Sequence, residues 1–575
     1  MTAPLAAACE EEWATAPESP PRAPFAQRLV TLTQQEHVQL KWDAAYWRTR
    51  HQGAIKRLAQ REHEFQTEQA RRDQRAAETE AILTARIETL EARIRDLCQR
   101  LFGAKSEKTG HSERQQKDPS GQPARPRGQQ PGRAGHGRSR LDLLPVVPEI
   151  IDLTETEKRC PSCFLPLVPF VGTQDCEVVE IEVQAYRRRI QRKRYRPACH
   201  CEVLPGIVTA AAPPCLIPKG KIGLSVWVEA LLDKFLSGRP THRLLQAWAH
   251  HGLNLSQGTL IGGFQTWAPL LLPVVSAITE QQRHDPHWHA DETGWRVFES
   301  LEGKAGHRWY LWVFQSASAV VMTLDPHRAA TVPEAHFQSL TTGIVICDRY
   351  SAYKKLARTM GFLLAFCWAH VRRDFLTLAR GYPEQEAWAM AWVARIGTLY
   401  TLNNQRLVAT EDRVAFDQCE IALHAHLQRM VDDRDAALQD PLAHPAAVKV
   451  LTSLRRHWPG LVVFVDHPEI PLDNNVAERA LRGPVVGRKN YYGSGSRWAG
   501  EFAASMFTVL MTLQLWQINP RRWFTEYGQA CAENGRSAPA DLSPFLPWGM
   551  TPERLAALRT PVPIRPPPGA HHDTS

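Results

Sequence analysis

Cysteine is sparse along this 575-residue chain, with 12 residues scattered except for a cluster between Cys160 and Cys201, which excludes a secreted disulfide scaffold. The amino-terminal MTAPLAAACEEEWATAPESPP lacks the basic stretch and apolar core of a secretory leader. No run reads as approaching the roughly 18 uncharged apolar residues of a membrane span. A cytoplasmic protein is the expectation. Acidic residues fall short of basic ones, 60 against 69, leaving a net charge of +9. That balance suits a polyanionic partner, through release of condensed counterions, but also a merely basic soluble protein. With 43% hydrophobic and 22% charged residues the chain has enough apolar surface to fold, and its length implies three or four units.

Residues 1–26 are rich in Ala and Pro and read as a disordered N-terminus. Glycine and proline then nearly vanish, so 27–102 reads as a helix. Leu83, Ile87, Leu90, Ile94, Leu97 and Leu101 recur at alternating steps of four and three, a heptad seam for a dimerising coiled coil or for packing within the chain. The composition shifts again at 103–140, where QPARPRGQQPGRAGHGRSR reads as a basic flexible linker. Residues 141–210 carry CPSC (Cys160, Cys163) and CHC (Cys199, Cys201). Two close cysteine pairs can supply a tetrahedral thiolate site for structural Zn²⁺, with His200 a possible substitute ligand. YRRRIQRKRYR between them would offer a basic strand to DNA.

Residues 211–284 are helical. THRLLQAWAHHGLNLSQGTL reads as helix, turn at Gly252 and a second helix capped by Ser256, fitting either a DNA-reading helix-turn-helix or an ordinary helical hairpin. From 285 to 382 the texture alternates and is aromatic. HWHADETGWRVFE, HRWYLWVFQ, AVVMTLDP and, after a short helix, GIVICDRY predict four strands. A helical insertion follows over 383–458. Strand texture returns at LVVFVDHP within a unit of 459–530, and a helix starts near Leu472, capped by Asp473 or Asn474. Residues 531–575 read as a C-terminal tail.

Phosphodiester chemistry with two metal ions needs a few carboxylates converging from distant segments, because hard Mg²⁺ or Mn²⁺ prefers oxygen ligands. Asp291 lies on the first predicted strand, Asp348 ends the fourth, and Glu478 falls inside the later helix. This is the layout of an RNase H-like nuclease core. Asp348 follows the apolar run GIVIC, where an unpartnered carboxylate is costly. Arg479, Arg482, Arg488, Lys489 and Arg497 surround Glu478, as phosphate contacts or as an ion-pair network. Glu292 should face away from Asp291. In CWAHVRRDF, Cys367 and His370 make an incomplete zinc site. His370 beside Arg372 and Arg373 reads as a phosphate contact or a structural histidine. Trp295, Tyr491 and Tyr492 could stack on unpaired bases, with core packing the safer reading for Trp295.

Taken together, LFGAKSEK, the cysteine module, IPKGKIGLSVWVEALLDKF, HADETGW, CDRYSAYKKL, CWAHVRRDF and LDNNVAERALRGPVVGRKNYYGSGSRWAGE resemble the insertion-sequence-66-type transposases across nearly the whole chain. The resemblance implies a DDE transposase whose acidic triad matches Asp291, Asp348 and Glu478, acting on transposon terminal repeats and target DNA in a bacterial nucleoid. Companion proteins from the same element are implied as well. The CHC pair departs from the usual spacing of two residues between cysteines. The expected fold is multidomain α+β: a coiled-coil helix, a small zinc-binding module, a helical DNA-binding segment and an RNase H-like α/β catalytic core with a helical insertion. An RNase H-like nuclease without strand transfer and a non-catalytic zinc-containing DNA-binding regulator are the alternatives.

Overall fold

The computed structural model describes residues 31–102, 152–169, 185–196 and 207–560 apart from Lys219 and Ala305. The expected N-terminal segment 1–26, the linker 103–140, Cys199, His200 and Cys201 lie outside the described residues. The chain divides into one unit ending at Ile94 and a second beginning at Arg95.

Helix α1 (Gln34–Phe102) opens with a capping box. Glu36 accepts from the Thr33 amide at 2.9 Å, and the Thr33 hydroxyl accepts from the Glu36 amide at 3.3 Å, satisfying donors that the first helical turn leaves open. Leu83, Ile87, Leu90 and Ile94 are exposed along one stripe of this helix.

The second unit is built on a mixed five-stranded sheet. Its strands are β3 (His287–Arg296), β4 (Arg308–Gln315), β5 (Val320–Asp325), β6 (Ile344–Cys347) and β7 (Leu363–Phe366), in the order β5-β4-β3-β6-β7. A separate short hairpin pairs β1 (Arg194–Tyr195) with β2 (Val208–Thr209). In the main sheet β3, β4 and β5 form an antiparallel meander, while β6 runs parallel to both β3 and β7. Strand β7 was not foreseen. Its run LLAF merges in sequence with the following helix, yet it covers the free edge of β6.

Side chains alternate across the sheet, as the two-residue strand period requires. Trp295, Trp309, Leu311 and Val313 enter one core with α2 (Leu224–Phe235), α3 (Thr241–His250), α4 (Gln257–Gln282), α13 (Arg497–Leu515) and α14 (Pro520–Glu533). Trp288, Ala290, Trp312 and Phe314 enter the other, beneath α5 (Thr331–His336) and α6 (Ser351–Met360). The edge strand β5 is blunted by α13, where the Thr508 and Thr512 hydroxyls accept from the Met322 and Val320 amides. Phe545 and Leu558, from the segment read as a tail, are buried in the first core, the latter on α15 (Pro552–Arg559).

Helix α4 corrects one sequence reading, because it is long and apolar enough to cross a membrane. Here it is a core helix, with Leu260, Phe264, Trp267, Leu271 and Val274 buried. Gly263 permits its close approach to α2, since a Cβ there would lie 2.1 Å from the Trp227 ring. Ser256 caps α4 by accepting from the Thr259 amide, and Gly252 turns the chain after α3 at φ +78°.

The insertion comprises α8 (Glu386–Val408), α9 (Arg413–Gln439), α10 (Pro445–Leu461) and α11 (Val463–Asp466), packed with α7 (Trp368–Gly381) around Trp368, Phe375, Trp392, Leu427, Leu454 and Phe464. The strand expected at LVVFVDHP is therefore absent. Its apolar residues end α10 and form α11, and the buried Arg406 guanidinium donates to the Phe464 and Val465 carbonyls, which need no strand partner. After this insertion comes α12 (Asn475–Tyr491).

Candidate active site

The site begins with strand register. The parallel pairing of His287 with Ile344 and of His289 with Ile346, continued by two residues, brings Asp291 opposite Asp348 at the point where β6 ends. Asp291 points to the face covered by α12, whose first turn carries Glu478. Glu292 points to the other face, where it accepts from Arg328 Nε at 2.8 Å and Tyr353 Oη at 2.8 Å.

Asn474 fixes α12 against the sheet. Only 1% exposed, it donates from Nδ2 to the Ala290 carbonyl at 2.8 Å and from its backbone N–H to Cys367 Sγ at 3.2 Å. Its Oδ1 lies 3.0 Å from His289 Nδ1. Because Nδ2 already serves as donor, Oδ1 accepts and His289 carries its proton on Nδ1. The Asn474 carbonyl accepts from the Glu478 amide. One residue thus joins the segments bearing Asp291, His370 and Glu478. Asp473 accepts from the Asn475 amide at 3.1 Å, so the expected cap is divided between the two candidates.

Burial pushes Asp291 up to about 7, and the Glu292, Asp348 and Glu478 carboxylates add to the rise. Glu478 Oε1 lies 3.9 Å from both His370 Nε2 and Arg373 Nη2. Burial lowers the His370 pKa, with Arg373 acting in the same direction against the opposing pull of Asp348 and Glu478. Among the described residues no three His, Cys, Asp or Glu side chains are gathered closely enough to hold a metal ion. Even so, Asp291, Asp348 and Glu478 are hard oxygen donors in one shared electrostatic environment, and a divalent cation would relieve their repulsion.

Two arginines next to these acids escaped the sequence reading. Arg349 donates to Asp374 at 2.5 Å and to Ser453 of the insertion at 3.1 Å. The Arg328 guanidinium sits 4.0 Å from the Tyr350 ring centroid, and the Tyr350 amide donates to Asp348 at 2.8 Å. Only the folded chain brings these partners together, so their spacing in sequence held no signal.

Residues 219–502 match the Transposase IS66 family. This chain carries an IS66-family transposase domain. Its similarity to other proteins extends further. An uncharacterized protein, y4jD, of Sinorhizobium fredii (strain NBRC 101917 / NGR234) is 27% identical over 72% of this chain and 83% of its own. From the same organism, the uncharacterized y4hP is 26% identical over 68% of this chain and 74% of its own.

In the transposase domain Arg479, Arg482 and Lys489 share one exposed face of α12, leading away from Glu478. Arg488 is half-buried and donates to Thr293 at 3.2 Å. Arg372 lies on α7 beside the Glu478 neighbours His370 and Arg373. Cys367 is buried and engaged by the Asn474 amide, which makes its role structural. Trp295 is core, its indole N–H donating to Ser494. The Tyr491 ring packs against Trp295 and beneath Lys234 Nζ, whereas Tyr492 is exposed.

Cys160 and Cys163 bracket a tight turn, with the Phe164 amide donating to the Cys160 carbonyl and the Cys160 amide to Leu165. The amides of Cys163 and Ser162 lower the Cys160 pKa. A stabilised thiolate fits half of a zinc site; the proposed partners Cys199 and Cys201 lie outside the described residues.

Proposed function

We propose that this transposase domain is an RNase H-like core that cuts and joins DNA through Asp291, Asp348 and Glu478. What supports this reading is that the charges of Asp348 and Glu478 both act on the buried Asp291, that the β3–β6 register continued by two residues sets the two aspartates on neighbouring chain segments, and that Asn474 ties the start of α12 to β3. The triad would hold Mg²⁺ or Mn²⁺, which when bound supplies Lewis-acid polarisation of the phosphoryl oxygen and activation of the attacking hydroxyl. His370, Arg372 and Arg373 orient the phosphate nearest the acids. Arg479, Arg482, Arg488 and Lys489 contact the phosphates of the strand along α12 and set its register. Water is the first nucleophile, and the freed 3′-hydroxyl then attacks target DNA without a covalent protein intermediate.

The exposed heptad stripe of α1 supports self-association as a dimer or larger oligomer, with Zn²⁺ at the cysteine module. DNA at the transposon ends and at the target is the partner, and companion proteins of the element remain part of the proposal. Incubating Asp348→Asn protein with end-labelled terminal-repeat DNA and a target plasmid tests the reading. Retained DNA binding with loss of cleavage supports it and excludes a non-catalytic regulator. Cleavage by the unmodified protein with no labelled end joined to the plasmid identifies a hydrolytic nuclease instead.

A further inference from the structure

Helix α12 carries its cationic face away from the acids and ends in an unusual way. Tyr492, its C-terminal cap, adopts the left-handed conformation at φ +66°, which favours Gly or Asn and costs a bulky residue on the order of 1 kcal/mol. Its ring is 70% exposed and is not part of the hydrophobic cores formed by the described residues. The next residues pin it in place. Gly493 sits so close to β3 that a Cβ would lie 2.3 Å from the Arg296 carbonyl. The Ser494 amide donates to that same carbonyl, and the Phe298 amide donates to the Ser494 carbonyl. Phe298, on the other side of this clamp, is 47% exposed.

Two of the cations here, Arg296 and Arg308, have no ion-pair partner among the described residues. Arg296 and Arg308 stand directly opposite each other on β3 and β4, a like-charge pairing that destabilises a sheet. Arg488 reaches the same place from α12, and burial together with Arg296 lowers its pKa. Among the described residues none of the three guanidiniums is in a salt bridge. The nearest acid in sequence, Glu299, is occupied by the Arg497 amide at 2.5 Å. The cross-strand pair Arg296 and Arg308, with Arg488 within electrostatic reach of Arg296 and the exposed Tyr492 and Phe298 rings nearby in sequence, matches the chemistry of a nucleic-acid strand, whose phosphates neutralise cations and whose bases stack on rings. Continuity with the α12 face points to the same ligand.

We propose that Arg296, Arg308, Arg488, Tyr492 and Phe298 form a platform for an unpaired stretch of DNA, a site distinct from the carboxylates. It lies roughly 17 Å along β3 from Asp291, about five base-pair steps. The stretch is single-stranded because a base can offer its face to Tyr492 only outside the duplex stack. This inference rests on the DNA-processing reading above.

The test compares a duplex bearing a six-nucleotide single-stranded tail, with 2-aminopurine in the tail, against the same duplex fully paired. Tyr492→Gly suits the left-handed backbone, so folding is preserved. It should weaken binding of the tailed DNA about tenfold and abolish the 2-aminopurine quench, while paired-duplex binding is unchanged. Tyr492→Trp should restore both. Arg296→Gln should flatten the salt dependence of tailed-DNA binding by roughly 0.7 in the log–log slope. Wild-type affinity and quench in Tyr492→Gly would overturn the platform alone, provided Arg479→Gln and Arg482→Gln still weaken DNA binding. If those two variants also bind every DNA as wild type does, the underlying reading falls with it.

Discussion

Asp291 is held at odds with its own ionisation. With its pKa raised from 3.8 to about 7 by burial and neighbouring acids, the native state binds its proton more tightly than the unfolded chain does. The cost to stability therefore grows as pH rises from 3.8 to about 7 and is complete above that. Asp291→Asn removes this charge and should stabilise the metal-free protein by about 1 to 3 kcal/mol at pH 8. Thermal melts should show a higher Tm for the variant without Mg²⁺, and a Mg²⁺-induced rise only in the wild type. An unchanged metal-free Tm would argue against a strained carboxylate. His336 behaves in the opposite sense. Burial lowers it from 6.5 to about 3, and its Nε2 lies 2.9 Å from Gln282 Oε1. The unfolded chain takes up a proton below about pH 6.5 that the native state refuses until about 3, so stability falls through this window as pH drops. The loss should be on the order of 2 kcal/mol by pH 5, read as a fall in urea midpoint, and His336→Asn should reduce its slope.

Among elements, α12 matters most, because its first turn and its exposed face both depend on how Asn474 seats it. Asn474→Ala removes two side-chain hydrogen bonds at a buried position while leaving the α12 cations in place. Cleavage turnover should fall at least tenfold with DNA affinity changed less than about twofold, measured by single-turnover kinetics and binding titration. A parallel loss of affinity would mean that Asn474 supports the whole helix rather than the position of Glu478. This residue also shows the limit of sequence reading. Asn474 was recognisable as a cap, since Asp or Asn before a helix is a local signal. Its ties to Ala290 and Cys367 were invisible because they span distant segments. The same limit explains LVVFVDHP: a short apolar run fits strand or buried helix equally, and the deciding Arg406 lies on another helix.

At the scale of the molecule, legibility followed period and context. The meander β3–β4–β5 and strand β6 were readable from two-residue alternation and aromatic texture, and their spacing suited a first strand bearing Asp291 beside a fourth ending at Asp348. Helix α4 was misread in its apolar content because Gly, Pro and Trp interrupt its aliphatic residues, yet none is charged between Gln257 and Thr279. The placement of 531–560 in the first core was illegible, since Phe545 and Leu558 lie in short apolar runs, FLPWGM and RLAAL, broken by Pro before any strand or helix period is sustained. The convergence of three acids on one sheet end is the central claim, and the joining reaction tests it most directly. Mg²⁺-dependent transfer of labelled terminal-repeat DNA into a plasmid should occur with the wild type and be lost in Glu478→Gln, while both bind the DNA alike. Equal joining by the two proteins would contradict the account by removing Glu478 from the chemistry.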